Sequence, residues 1–308
     1  MNFWVGVTDN AWFEFLSQGM FDEVNFWQPS PRAPFTTLPE GTPFFFKLKR
    51  PYNHIAGGGY FVKFSVLPLA LAWDAFGPKN GAPTRSAFEA LIRPLLPDPT
   101  ARDPDIGCTV LTEPFFWSKE RWIPNPVGWT RPIVVGRTYD WATEEGSQLW
   151  QQIAERQPSA AVGTNVVSEV REPPAGYGTP VLVKRRIGQG AFRVLVTDAY
   201  NRRCAITGEK TLPVLEAAHI RPFARSGPNS ISNGLLLRSD FHKLFDLGFV
   251  TVTPDLHVHV SPRIREEWFN GQVYYRLHGK PLAVLPGRDL DKPRREWLEY
   301  HNSEVFQP

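Results

Sequence analysis

The sequence predicts an α+β protein built from two domains. Three observations carry that prediction. The chain has 308 residues, enough for two ordinary domains. Residues 1–140 hold short aromatic and β-branched runs separated by Gly, Pro and Asn, which is a strand-rich pattern. Further on, around residues 215–248, the pattern changes to two short strands followed by a short helix.

In the first part, FWVGV, TPFFFKL, GYFVKFSVL and PIVVGR read as strands. Helical spacing is confined to AWFEFLSQG, LALAWDAFG and SAFEALIRPLL. The 30 prolines argue against long helices and for short strands with structured turns. A compact barrel or curled sheet is expected over 1–140. Within 141–180, TEEGSQLWQQIAERQ has acids first and an arginine late, which suits a helix dipole. The Pro, Gly and Ala-rich stretch after it, 158–180, reads as a linker. A second domain then spans 181–308. It opens with QGAFRVLVTDAY, in which Phe192, Leu195, Val196 and Ala199 share one helical face.

Composition excludes several classes. Hydrophobic residues make up 42% and charged residues 21%, as in soluble globular proteins. No apolar run approaches the ~20 residues needed to cross a bilayer. The start, MNFWVGVTDNAWF, lacks the basic segment of a secretory signal. Two cysteines, Cys108 and Cys204, make neither a disulfide framework nor a four-cysteine zinc site, so a reducing cytoplasm is expected. Charge is uneven: residues 181–308 carry 19 Lys and Arg against 13 Asp and Glu, whereas residues 1–180 carry 15 against 18. A basic C-terminal part suits a polyanionic partner. Arg185, Arg186, Arg193 and Arg221 are the expected phosphate contacts, the alternative being a solvated helix face.

The chemistry concentrates in residues 204–255, CAITGEKTLPVLEAAHIRPFARSGPNSISNGLLLRSDFHKLFDLGFVTVTPD. VLEAAHI is a strand ending near a histidine. A polar loop leads to Asn233 and a second strand, and SDFHKLFDLG is a short helix closed by Gly248. The string C-A-x-T-G, A-A-H-I-x-P, N-G-x-x-L, H-x-x-F-D-x-G resembles the HNH nucleases, the ββα-metal superfamily. The likeness spans about residues 185–260, with fainter similarity through RREWLEYHNSEVF.

Cutting a phosphodiester needs an activated water, neutralisation of the phosphate and help for the leaving oxygen. A neutral imidazole can take a proton near pH 7, and a divalent cation can neutralise charge. The resemblance implies His219 as general base, Asn233 as the residue orienting it and holding the loop, His242 as metal ligand, and Mg²⁺ or Mn²⁺ as cofactor. One position departs from the pattern: many HNH enzymes carry a metal-binding Asp or His just before the base, and here it is Ala218. Asp246, four residues after His242 on the same helical face, is the first choice for a second ligand, ahead of Asp240 and Glu216. A bracing role for Asp246 is the alternative. His257 and His259, alternating along LHVHV, read as an exposed or satisfied pair on a strand, and Cys204 as a packed thiol.

In the first part, NFW at 25–27, GTPFFFKLKRP at 41–51 and HIAGGGYFVKF at 54–64 resemble the PUA superfamily, which includes EVE, YTH, ASCH and SRA-type domains. There a small β-barrel holds a flipped, often modified base. Stacking can recover ~1–3 kcal/mol per base, against an unstacking cost of a few kcal/mol. Trp27, Tyr60, Phe61 and Trp73 are candidate walls, Asn25 a candidate reader of a base edge, and Gly57, Gly58 and Gly59 allow close backbone approach. For any one aromatic, core packing is the alternative. Together the halves resemble modification-dependent restriction enzymes, which cut double-stranded DNA carrying 5-methyl- or 5-hydroxymethylcytosine. A double-strand break by a one-strand cutter implies a homodimer. Two rival readings are a non-selective or nicking HNH nuclease with a protein-binding N-terminal domain, and a DNA-binding regulator with a decayed site.

Overall fold

The computed structural model describes residues 2–35, 38–126, 129, 133–156 and 187–308. It divides into two compact units, Met1–Arg186 and Ile187–Pro308.

The first unit is a mixed sheet with helices on it. In chain order it contains β1 (Asn2–Thr8), α1 (Asn10–Ser17), β2 (Glu23–Gln28), β3 (Pro43–Leu48), β4 (His54–Pro68), α2 (Leu69–Phe76), α3 (Arg85–Ile92), β5 (Asp105–Phe116), β6 (Ile123–Pro124), β7 (Gly136–Asp140) and α4 (Glu144–Ala154). The strand order is β2-β5-β4-β3-β1-β7, with β6 on the end of β4. Among the described residues of this unit only β1 and β3 run parallel, and the other pairings are antiparallel. The sheet does not close: among the described residues β2 and β7 are its two ends, where a barrel was expected. Long β4 carries the curvature through register shifts at Gly58/Tyr60 and Phe61/Lys63.

Alternation along the strands feeds two cores. Trp4, Phe44 and Phe46 pack with Trp12, Phe13 and Leu16 of α1. Phe3, Val5 and Phe45 pack on the other side with Leu149 and Ile153 of α4. Thr143 caps α4, its hydroxyl accepting from Gly146 N–H at 3.1 Å. The helix expected after residue 140 is therefore part of this unit's core, and the expected linker, 158–180, lies outside the described residues.

The second unit holds α5 (Gln189–Ala199), β8 (Leu215–His219), β9 (Gly234–Arg238), α6 (Ser239–Asp246), β10 (Val250–Val252), β11 (Val258–Val260), α7 (Arg263–Trp268), α8 (Gln272–Tyr275) and α9 (Arg295–Glu304). Its core joins Phe192 and Val196 of α5, Leu235, Leu236 and Leu237 of β9, and Phe241 and Phe245 of α6. Cys204 is buried there, its sulfur accepting from Arg238 N–H at 3.3 Å. Among the described residues no helix is long and apolar enough to cross a membrane.

Candidate active site

Strands β8 and β9 form an antiparallel hairpin in which His219 sits opposite Gly234. The glycine is required by packing: a Cβ at 234 would lie 2.5 Å from Val196 Cγ2 and 3.0 Å from Phe192 Cζ. Its absence lets α5 press onto the hairpin and brings Phe192 flat against His219, ring centroids 3.9 Å apart and planes 13° from parallel. The helix α6 ends at Gly248, which has φ +76 and whose Cβ would strike Val305 O at 2.0 Å. Strand, loop, strand and helix thus follow the order expected from the sequence.

His219 is half-buried. Its Nε2 lies 2.8 Å from Asn229 Oδ1. The orientation of that amide is fixed because its Nδ2 donates to Ile187 O at 2.9 Å. An oxygen facing Nε2 demands a proton there, so the neutral ring keeps its lone pair on Nδ1. Burial is the main influence on this imidazole and lowers its pKa; the Asn229 bond opposes it, His242 adds to the lowering and Asp246 works against it. The imidazole is therefore in its neutral form at neutral pH.

Asn233 is fully buried and does not contact the imidazole directly. Its Oδ1 accepts from Arg221 N–H at 2.9 Å, and its Nδ2 donates to Arg221 O and Pro228 O, each at 3.0 Å. These bonds clamp both ends of the 221–228 loop, which is the loop-holding half of the role assigned from sequence. The side chain that contacts the imidazole is Asn229 instead. Only the Pro-Asn-Ser context marked that residue in the sequence, and that context reads as a turn.

On α6, His242 lies between two carboxylates. Its Nδ1 is 2.6 Å from Glu216 Oε2 of β8, and its Nε2 is 3.3 Å from Asp246 Oδ2, one helical turn away. Glu216 accepting from Nδ1–H leaves the Nε2 lone pair on the Asp246 side. This is the carboxylate–histidine arrangement that orients a metal ligand from behind. Partial burial raises the Asp246 carboxyl above its ordinary value, with Glu216 adding to the rise, although His242 and His219 pull it down. Asp246 Oδ2 and His242 Nε2 are donors that would suit a divalent cation, which would supply a positive charge beside this carboxylate. Among the described residues no set of three or more His, Cys, Asp or Glu converges on one metal position.

The other ligand candidates are committed elsewhere. Asp240 is bound by Arg238 at 2.7 and 2.8 Å and by Tyr274 at 3.4 Å. Ala218 is fully buried in the core, and on the same strand face the next carboxylate is Glu216, two residues back. His259 stacks on His278 at 4.8 Å, and His278 Nδ1 accepts from Val260 N–H, so that ring nitrogen is already used.

The expected phosphate-gripping arginines fare differently. Arg221 Nε donates to Arg225 O at 2.8 Å, and its guanidinium lies 4.8 Å from the Tyr300 ring centroid, so it braces its own loop against α9. Arg193 sits half-buried on α5. Arg185 and Arg186 lie outside the described residues.

Three of the expected base-pocket residues of the first unit, Asn25, Trp27 and Trp73, meet around Asn80 and Phe88. Fully buried Asn25 donates to Asn80 Oδ1 at 2.9 Å and to Cys108 Sγ at 3.3 Å, and Trp27 Nε1–H donates to Asn80 O at 2.9 Å. Buried Phe88 meets Trp27 edge-on at 5.8 Å and stacks on Trp73 at 6.1 Å. These groups tie α2, α3 and the turn between them to the sheet. Tyr60 is not in this cluster; it pairs with Pro43 and Thr112 along β4. Phe61 is in the core. Gly57 and Gly58 serve the sheet itself, since a Cβ on either would meet Phe115 O at 2.3 Å or Phe44 O at 2.6 Å.

Comparison with known proteins bears on the second unit. No curated protein sequence matches the chain at a significant level. A solved structure described as "Modification dependent TagI restriction endonuclease" is similar at 17% identity, over 97% of this chain and 81% of that one, with a TM-score of 0.28. At that score the likeness carries no structural conclusion. Residues 204–253 match the family model described as HNH endonuclease. They contain the hairpin, His219, Asn233 and the helix with His242 and Asp246, and with them this protein carries an HNH endonuclease domain and is a nuclease.

Proposed function

We propose that this nuclease is a metal-dependent DNA endonuclease whose N-terminal unit restricts it to DNA carrying a modified base, with 5-methyl- and 5-hydroxymethylcytosine the leading substrates. The observation that carries the nuclease mechanism is the fixed tautomer of His219, whose Nδ1 lone pair is held ready by Asn229.

His219 Nδ1 takes a proton from water, and the resulting hydroxide attacks phosphorus as the P–O3′ bond breaks. Phe192 holds the imidazole in plane and shields it from bulk water. Asn233 keeps the 221–228 loop closed over this strand end. His242 and Asp246 would hold Mg²⁺ or Mn²⁺, with Glu216 orienting His242. When bound, that ion supplies charge neutralisation at the phosphate and the leaving oxygen.

An HNH module grips backbone, which specifies no sequence, so selection falls to another part of the chain. Support for a reader comes from the separate core of the first unit and from the resemblance carried by NFW, FFFKLKRP and HIAGGGYFVKF, which lie on β2, β3 and β4 and the turn between the last two. One such site cuts one strand, so a double-strand break takes two protomers, and a homodimer on DNA is part of the reading.

The test is cleavage, with Mg²⁺ or Mn²⁺, of otherwise identical DNA that is unmodified or carries 5-methylcytosine, 5-hydroxymethylcytosine or N6-methyladenine, beside His219→Ala. Cutting confined to a modified substrate and lost in the variant is expected. Equal cutting of all four removes the reader. Binding without cutting of any would indicate a decayed nuclease.

A further inference from the structure

A lysine on β3 is buried without a counter-charge among the described residues. Lys47 is 5% exposed. Among the described residues its Nζ has one hydrogen-bond acceptor, Asn53 Oδ1 at 3.2 Å, and it lies 5.3 Å from the Trp129 ring centroid. Among the described residues no carboxylate pairs with it, and the charge acting on it most is that of Arg50, of like sign. Burial first, and then Arg50, lowers its pKa. An ammonium has three protons to place, and here one is placed. Native folds seldom leave a buried cation in that condition unless a partner arrives from outside.

The turn after β3 is shaped around this group. Asn53 adopts a left-handed backbone, φ 52, and its N–H donates to Lys49 O at 3.2 Å. That geometry turns its side chain back to Lys47. With Oδ1 taken by the ammonium, Asn53 offers outward only its Nδ2–H donors. Lys47 and Asn53 together thus present donors and no acceptor. The adjoining turn is aromatic and carries exposed cations: half-buried Tyr52, whose hydroxyl donates to Glu14, meets Trp122 edge-on at 5.4 Å, Lys119 lies over its ring at 5.8 Å, and Arg50 and Arg121 are exposed. Stacking faces beside cations suit nucleic acid.

We propose that Lys47 and Asn53 form the recognition end of a binding site for a carbonyl-bearing nucleobase turned out of DNA, a proposal that rests on the base-reading function above. A donor-only pair selects an edge with adjacent acceptors, such as N3 and O2 of a cytosine. It disfavours an edge that leads with an amino group, as adenine does. The site differs from the Asn25 cluster, whose donors are already spent internally.

The experiment uses the full chain in EDTA, so that DNA stays intact. Binding to duplexes with one 5-methylcytosine, one 5-hydroxymethylcytosine, one N6-methyladenine or no modification is read by fluorescence anisotropy for the wild type, Lys47→Met and Asn53→Asp. Lys47→Met removes the unpaired charge, and Asn53→Asp gives it an internal partner, so both are expected to fold and to raise Tm. Both should weaken the modified-cytosine duplex about ten- to a hundredfold and reduce its preference over unmodified DNA. A wild type without preference overturns base reading itself. A wild-type preference that survives both substitutions leaves base reading standing and overturns this site. If Lys47→Met fails to fold, Asn53→Asp alone decides.

Discussion

Asn229 accepts from His219 Nε2 at 2.8 Å while its own amide nitrogen is held by Ile187 O at 2.9 Å. The two bonds settle a choice that the imidazole alone leaves open, namely which nitrogen carries the proton. Asn229→Ala frees the ring to take the other tautomer and to rotate. Single-turnover cleavage is expected to slow about 10- to 100-fold, with DNA binding unchanged. The ¹⁵N shifts of His219 would report a mixture of tautomers in place of one. An unaltered rate would mean that Phe192 stacking suffices.

The pH profile follows from the same environment. Burial lowers the His219 pKa below the ordinary 6.5. The neutral form is the active one, so cleavage should rise with pH along an acid limb centred below 6.5 and be flat through neutrality. Phe192→Leu removes the ring that covers the imidazole. The limb should then move up toward 6.5. A downward movement would show that the aromatic face was stabilising the imidazolium instead of excluding water from it.

The carboxylates around α6 should separate by role. His242→Ala and Asp246→Asn each remove a donor from the 3.3 Å pair and should abolish detectable Mn²⁺ binding by calorimetry. Glu216→Gln acts only from behind His242 and should weaken metal binding about 10- to 100-fold. Asp240→Asn should leave it unchanged, because that carboxylate is engaged by Arg238. Equal losses for Asp240 and Asp246 would reject this partition.

Much of the nuclease site was legible because each element carries a local signal. β9 carries three successive leucines, Gly248 stops α6, and His242 and Asp246 stand one turn apart. Asn229 was not legible, since in Pro-Asn-Ser an asparagine reads as a turn residue, and only the fold brings it across ten residues to His219. In the first unit the strands were legible and their function was not. Asn25 and Trp27 look free in NFW, and nothing local shows that Asn80, some fifty residues on, takes the amide donor of one and the indole donor of the other. Lys47 in FFFKLK reads as an outward strand residue. Sheet closure depends on whether β2 and β7 meet, which strand composition does not encode.

The Asn25 cluster should therefore behave as structure. Its Nδ2 donates to Asn80 at 2.9 Å in a fully buried setting. Asn25→Ala should cost about 1–3 kcal/mol of stability, read as a shift of the urea midpoint. Affinity for modified DNA should be unchanged at temperatures where the variant is folded. A selective loss of modified-DNA binding, with stability intact, would return Asn25 to the reader site.

His301 on α9 links stability to pH beside α6. Its ring stacks on Phe245 at 3.7 Å, its Nε2–H donates to Phe245 O at 3.1 Å, and its Nδ1 accepts from Thr251 Oγ1 at 2.8 Å. Both nitrogens are committed to the neutral form, and burial brings the pKa down to about 4 from 6.5. Between those values the unfolded chain binds a proton that the folded chain refuses, so stability rises with pH across the window and falls as pH drops through it. The shift corresponds to about 3 kcal/mol, complete near pH 6.5 and lost toward pH 4. Phe245 adjoins Asp246, so the end of α6 that carries Asp246 should loosen first in mild acid. Hydrogen exchange of the α6 amides between pH 4.5 and 7, corrected for intrinsic rates, should show protection falling with pH in the wild type. His301→Gln, which cannot take up the proton, should show a flat profile; a slope equal to that of the wild type would place the titrating group elsewhere.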